Sequence, residues 1–330
     1  MRTVLPLFGY AVAVAFWMPA ALSRLTAPGR GPRLGLAAWL TAMAGVLAAA
    51  TAGLAILTRA AVAGWDRLAE VVCRSVAGHA CAQTVYRSAA CELGLALIAV
   101  IAVLAALVLA WRYGRSVQRA RRQTRAHGEV ARIVGQALPG GAPADGAATG
   151  ALDGAAAGRG PAAVVIDAAA PVAYCLSGRP ATIVLSSGAL EVLDPAQLGA
   201  VLAHERAHLA GRHHLLIALT RGLAAAFPGV PLFAQGADKV ARLAEMRADD
   251  AAARRTGRTA LAGALLAMAT GAAVPAAALG AMSHAVTARL ERLAEVPGRA
   301  RDARYGLVLA ALVLALALGP ALVALAATRA

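Results

Sequence analysis

Residues 194–227 read DPAQLGAVLAHERAHLAGRHHLLIALTRGLAAAF, and how this stretch folds decides how the rest of the chain is read. Asp194 suits a helix N-cap, Pro195 the first helical turn, and Gln197 the position that closes a capping box. Leu198, Val201, Leu202, Leu209, Leu216 and Leu219 recur at helical spacing, which predicts one helix through the whole stretch. Within it His204 and His208 are four apart, so both imidazoles leave one face and can grip one metal ion. Glu205 stands beside them, placed to take a proton from a metal-activated water. This H-E-x-x-H pattern is the spacing of a zinc peptidase helix. Only seven histidines occur in 330 residues, so the pattern on a capped helix carries weight. The plainer alternative is two surface histidines and a glutamate on an ordinary helix.

The composition places this helix in a membrane protein. The chain is 60% hydrophobic with a mean hydropathy of +0.65, above the half-apolar average of soluble domains. Its formal net charge is +15, almost all from arginine, with Lys239 the single lysine. Arginines flanking membrane spans account for that sum without a nucleic-acid partner. The densest run, 112–125, lacks interleaved aromatics and any DNA-binding pattern, so it reads as a membrane-side anchor.

Four apolar stretches are long enough to span a bilayer: about Val4 to Leu22, Leu34 to Leu57, Leu93 to Trp111 and Leu307 to Ala327. The first carries Pro6, Pro19 and Trp17 and is followed closely by a second span, so it reads as retained rather than as a signal peptide. Arg24, Arg30 and Arg33 crowd the first loop. Arg112, Arg115, Arg119, Arg121, Arg122 and Arg125 follow the third span, and Arg299, Arg301 and Arg304 precede the fourth. All three groups fall on one side, which the positive-inside rule makes cytoplasmic. Residues 58–92 then form an outward loop, where Cys73, Cys81 and Cys91 offer one disulfide of undetermined pairing.

The stretch 137–162 is Gly, Ala and Pro with few large side chains, a flexible linker by composition. Short β-like segments follow at Ala163 to Ile166, Val172 to Leu176 and Thr182 to Leu185, with a turn at Gly178-Arg179-Pro180. Such a sheet either accepts an extended peptide along its edge or serves only as structure. Beyond Pro228-Gly229-Val230-Pro231, helices are predicted over Asp238 to Arg255, Ala260 to Ala273 and Ala276 to Val296.

A catalytic zinc site needs a third protein ligand and an open position. Glu245 and Asp249 share a face of the second helix, so Glu245 can ligate while Asp249 bonds the far nitrogen of a ligand histidine. His214 is the other candidate, since His204, His208, Gly211 and His214 also spell H-E-x-x-H-x-x-G-x-x-H. That reading requires the helix to stop at Gly211. An unbroken helix carries His214 too far along its axis, so Glu245 is preferred. His213 and His214 read as polar surface residues or supports of the ligands.

The lead-in Asp194-Pro195, the run Ala-Val-Leu-Ala-His-Glu-Arg-Ala-His, and Glu245-x-x-Ala-Asp249-Asp250 together resemble the membrane-embedded gluzincin peptidases. The nearest match resembles the β-lactam sensor–transducer peptidases (BlaR/MecR type), with the HtpX and CAAX-protease family as cousin. Ala-Tyr174-Cys175-Leu-Ser-Gly178 and Ile-Val-Leu-Ser186-Ser187-Gly188-Ala-Leu190 are similar to the same region of that family. The resemblance covers about Ala163 to Val296. It implies His204, His208 and Glu245 as ligands of one Zn²⁺, Glu205 as the base and Asp249 as a supporting carboxylate. It also points to His284 and Arg289 as oxyanion or substrate contacts, although the proline that the cousin family carries after its histidine is missing here. No penicillin-binding domain follows the last span, so no attached sensor of that kind is expected.

The expected fold is mainly α: a polytopic membrane protein with four transmembrane helices and an α+β zincin-like metallopeptidase domain. Residues 1–112 hold three spans, 113–162 a basic juxtamembrane helix and linker, 163–304 the peptidase domain and 305–330 the last span. The expected function is a zinc-dependent endopeptidase in the cell membrane, cleaving protein or peptide substrates at the cytoplasmic face with Glu205 as general base. Membrane lipid is the expected environment, and direct nucleic-acid binding is not expected. The alternatives are a signal-transducing protease that cleaves itself or one transcriptional repressor, and a non-catalytic scaffold with structural zinc. The scaffold is disfavoured because structural sites fill all four positions and need no base. A soluble metzincin conflicts with four spans.

Overall fold

Two apolar helices, α1 (Val4–Phe16) and α2 (Met18–Thr26), open the chain and are bent by 42° at Trp17. Pro19 lies in the first turn of α2, where its missing N–H interrupts the hydrogen-bond ladder. The computed structural model describes residues 3–76, 83–134, 136–137, 162–178, 181–271, 286–295 and 298–329. Within these, α3 (Pro32–Val76) and α4 (Gln83–Val134) are helices of 45 and 52 residues, and α11 (Arg299–Arg329) ends the described chain. Pro32–Ala63, Ala96–Arg119 and Arg301–Thr328 are each long and apolar enough to cross a membrane. The bent α1–α2 pair adds a fourth candidate if it counts as one span.

The segment 58–92, expected to connect two spans on the outer side, is not an irregular loop. Helix α3 continues to Val76 and α4 begins at Gln83, so most of that segment is helical. Its sequence is rich in alanine and holds no proline, so nothing stops the helix where the apolar window ends. Of the linker expected over 137–162, residues 138–161 lie outside the described residues, as do Arg179 and Pro180 of the expected turn, and the cysteines of the candidate disulfide lie outside the described side chains.

After β1 (Gln136–Ala137) come β2 (Ala162–Ile166), β3 (Ala173–Leu176) and β4 (Thr182–Ser186), within a residue of the expected strands. The sheet order is β1-β2-β4-β3, with β2 parallel to β4 and β3 antiparallel to it. Central β4 is buried throughout, and its middle residues Ile183, Val184 and Leu185 are all apolar. Edge strand β3 faces the helices. Ser186 ties the β2–β3 loop down by accepting from Val172 N (2.9 Å) and donating to Ala170 O (2.8 Å), and it caps α5 (Ser187–Val192) by accepting from Ala189 N. A side chain at Gly188 would collide with the main-chain oxygen of Ala169, so this loop and α5 meet only at a glycine.

Helix α6 (Pro195–Ala210) starts with the capping box read from the sequence: Gln197 N donates to Asp194 Oδ1 (2.8 Å) and Asp194 N to Gln197 Oε1 (3.2 Å). It does not run to Phe227. Arg212 takes a left-handed conformation (φ 49°) and a separate helix, α7 (His213–Ala226), begins. Helix α8 (Pro231–Thr256) starts seven residues before the expected Asp238, because Pro231 is tolerated in the first turn and Leu232 and Phe233 are buried. Helix α9 (Arg258–Gly271) and a helix α10 over 286–294 follow.

Helix α8 joins the two parts of the molecule. Leu232, Phe233, Val240, Leu243 and Met246 share one core with Leu7, Leu22, Trp39, Met43 and Leu316 of α1, α2, α3 and α11. Gly236 lets α8 press against Met43 and Trp39. The other end of α8 reaches a second core, where Ala252 packs with Ala200 and Ala203 of α6 and Leu261 of α9.

Candidate metal centre

The first four turns of α6 bring His204 and His208 to the same face, and α8 brings Glu245 opposite. His204 Nε2 and His208 Nε2 are 3.1 Å apart. His204 Nε2 lies 3.5 Å from Glu245 Oε2 and His208 Nε2 3.4 Å from Glu245 Oε1. A tetrahedral zinc with bonds of about 2.0–2.1 Å would have ligand–ligand edges of about 3.3 Å. Two imidazole nitrogens and a carboxylate at this spacing therefore fit a zinc ion with its fourth position open.

The ring of His204 is buried, and its Nδ1 faces Asp249 Oδ1 at 3.1 Å, close but not well aligned for a hydrogen bond. Burial alone would pull His204 down, but Asp249 and Glu245 outweigh it and raise its pKa to about 9. The pair of carboxylates thus favours positive charge at this point. Burial acts to raise Glu245, but His204 and His208 hold it well below the usual carboxylate range.

Arg289, on α10, grips Asp249 with both arms: Nε donates to Oδ2 (2.8 Å) and Nη2 to Oδ1 (2.6 Å). Its Nη1 is 3.3 Å from Glu245 Oε2. The guanidinium also borders the cleft, but its direct partners are the two carboxylates. His284 lies outside the described residues.

His214 is exposed and takes no part in the described group. Its neighbour His213, read from sequence as a polar surface residue or support, is 1% exposed, and its Nδ1 meets His208 Nδ1 at 3.0 Å. Burial first, then His208, push His213 down to about 4, so it stays neutral and keeps a lone pair. His208 can then carry its proton on Nδ1, donate it to His213, and turn the Nε2 lone pair towards the metal position. The one sequence signal for this contact is Gly211. A side chain at Gly211 would collide with the His213 ring, so the glycine marks where the chain folds back.

Glu205 is buried and lines the same cleft, a cavity of about 770 Å³. One wall is the edge of the sheet, from Pro171 to Cys175. The others are apolar, with Val201, Leu261, Leu265, Met268 and Leu290. Burial and then the charge of Glu205 push the Cys175 thiol up to about 12, which keeps it from acting as a thiolate ligand.

Residues 151–299 match the model of peptidase family M48. The match supports a zinc metallopeptidase family, whose members are hydrolases of protein or peptide substrates and generally use zinc. No curated protein matches the chain, and no solved structure does.

Proposed function

We propose that this chain is an integral-membrane zinc endopeptidase working at the cytoplasmic face. The observation that carries the reading is the meeting of His204, His208 and Glu245 in a cleft that Glu205 also lines. His204 Nε2, His208 Nε2 and the Glu245 carboxylate would hold the ion. Bound there, zinc supplies a Lewis acid that polarises a peptide carbonyl and brings the pKa of water towards neutral. Glu205 takes a proton from the attacking water as its oxygen bonds to the carbonyl carbon. The same carboxylate then delivers that proton to the amine nitrogen as the C–N bond breaks. Asp249 orients His204, and Arg289 keeps Asp249 and Glu245 ionised and in place.

Substrate alignment follows from the sheet edge. Ser186 N donates to Val172 O (3.0 Å) one step beyond the Ala173–Leu185 pair, so the carbonyl of Val172 turns towards β4. By antiparallel alternation Tyr174 and Leu176 pair with β4, while Ala173 and Cys175 turn their main-chain groups towards the cleft. An extended peptide adds there as a further strand, with apolar side chains against Leu261, Leu265 and Met268. The cytoplasmic address rests on the arginines that flank the candidate spans.

The test is Glu205→Gln in the full-length protein, assayed for peptide cleavage and for bound zinc. Turnover should fall by about 10²–10⁴-fold with zinc content unchanged. Undiminished turnover removes Glu205 from the reaction.

A further inference from the structure

A second cavity, of about 270 Å³, lies away from the paired histidines. It opens among the α2–α3 connection, the end of α8, the start of α9, the end of α10 and the first turn of α11. Five arginines line it, Arg30, Arg254, Arg258, Arg292 and Arg301, against three acids, Asp250, Glu295 and Asp302. The acids are already engaged. Arg30 reaches Glu295 at 3.3 Å and Asp302 at 3.8 Å, and Arg292 pairs with Asp250. Arg258 donates to the main-chain oxygens of Leu293 (3.2 Å) and Glu295 (2.6 Å). Arg254 and Arg301 have no acidic partner among the described residues. Five guanidiniums against three carboxylates leave two positive charges facing the cavity.

Position selects the anion. Gly29, Arg30 and Gly31 lead into the candidate span that begins at Pro32, and Arg301 and Asp302 open the one that ends at Thr328. The cavity therefore lies where two candidate spans begin, at the level of a lipid headgroup layer ~5–7 Å thick. Free guanidiniums make strong charge-assisted hydrogen bonds to phosphate oxygens, and basic pockets between spans suit anionic headgroups. We propose that this cavity binds the phosphate of an anionic phospholipid, with Arg254 and Arg301 as the groups that grip it. Nothing in this depends on the metal centre, so it stands or falls apart from the peptidase reading.

The experiment uses the full-length protein in neutral detergent with equimolar dioleoylphosphatidylglycerol and dioleoylphosphatidylcholine, and reads bound lipid by native mass spectrometry. The wild type should retain phosphatidylglycerol in preference. Arg254→Gln with Arg301→Gln should lower that preference by about fivefold for each arginine removed. Lysine at both positions keeps the charge and should recover most of it. Arg221→Gln with Arg255→Gln removes the same charge from exposed positions outside the cavity and should leave the preference intact. Equal retention of the two lipids by the wild type, or equal losses in the two glutamine pairs, overturns the proposal. Inorganic phosphate in the same mixture decides the source: displacement of the lipid would make this a free-anion site and end the lipid assignment, and no displacement supports it.

Discussion

Asp249 has no exposed surface, yet it sits among charges that require it to be a carboxylate. Burial works to raise its pKa, but His204 and Arg289 together hold it below the ordinary range. The two-armed grip of Arg289 is what makes a buried negative charge tolerable on α8. Arg289→Ala leaves that charge without its partner and should destabilise the fold by about 3–5 kcal/mol, measured by denaturant unfolding in detergent. Arg289→Lys should recover only part of this, because an ammonium cannot make the parallel pair of bonds. The pH dependence has a definite sign. A depressed folded-state pKa contributes stability that is fully present above about pH 4 and is lost as pH falls through the lowered value. Arg289→Ala removes the arginine's share of that depression and leaves that of His204, so acid unfolding should begin at higher pH. A variant with wild-type stability would show that Asp249 is held some other way.

At the scale of elements, the break between α6 and α7 carries most of what the sequence concealed. Helix α6 was legible at its start because a capping box is local chemistry: Asp194 and Gln197 need only each other. The strands were legible because alternation and turn residues are local too. The three-residue metal group was legible from spacing, which puts His204 and His208 on one face and Glu245 with Asp249 on another. The break was hidden because leucines keep their period straight through it. A tertiary contact decides the matter, the approach of His213 to His208 across Gly211. The pairing of Arg289 with Asp249 was hidden for the same reason, since the two lie forty residues apart on different helices.

This contact yields a paired prediction. His213→Ala frees the His208 ring, and loss of such a supporting bond typically costs 10–100-fold in metal affinity. Gly211→Ala should do nearly the same, because the new methyl group displaces the His213 ring. The double variant should then lose no more than either single change, since both remove one interaction. Zinc affinity from chelator competition is the readout. Additive losses would mean that Gly211 and His213 act separately.

On the scale of the whole molecule, α8 does not belong to one domain. Its 26 residues span about 39 Å. One end presents Glu245 and Asp249 to the metal group, while Leu232, Phe233, Val240, Leu243 and Met246 are buried against α1–α3 and α11. Burying five such side chains stabilises by roughly 8–15 kcal/mol, comparable with the entire stability of a typical domain. The part of α8 that carries Glu245 and Asp249 is therefore held in place by its packing against α1–α3 and α11. A fragment limited to residues 163–304 would leave that apolar face in water. It should come out as an aggregated or loosely packed chain without cooperative unfolding, with weak zinc binding. Circular dichroism, gel filtration and zinc titration of the fragment beside the full chain measure this directly. A monomeric fragment that melts cooperatively and binds one zinc as tightly as the full chain would show that the span-side core adds nothing to the centre. If the fragment fails as expected, the helix that supplies the third ligand depends on the helices beneath it, and changes in the membrane-side core, such as Phe233→Ala, should weaken zinc binding without touching a ligand.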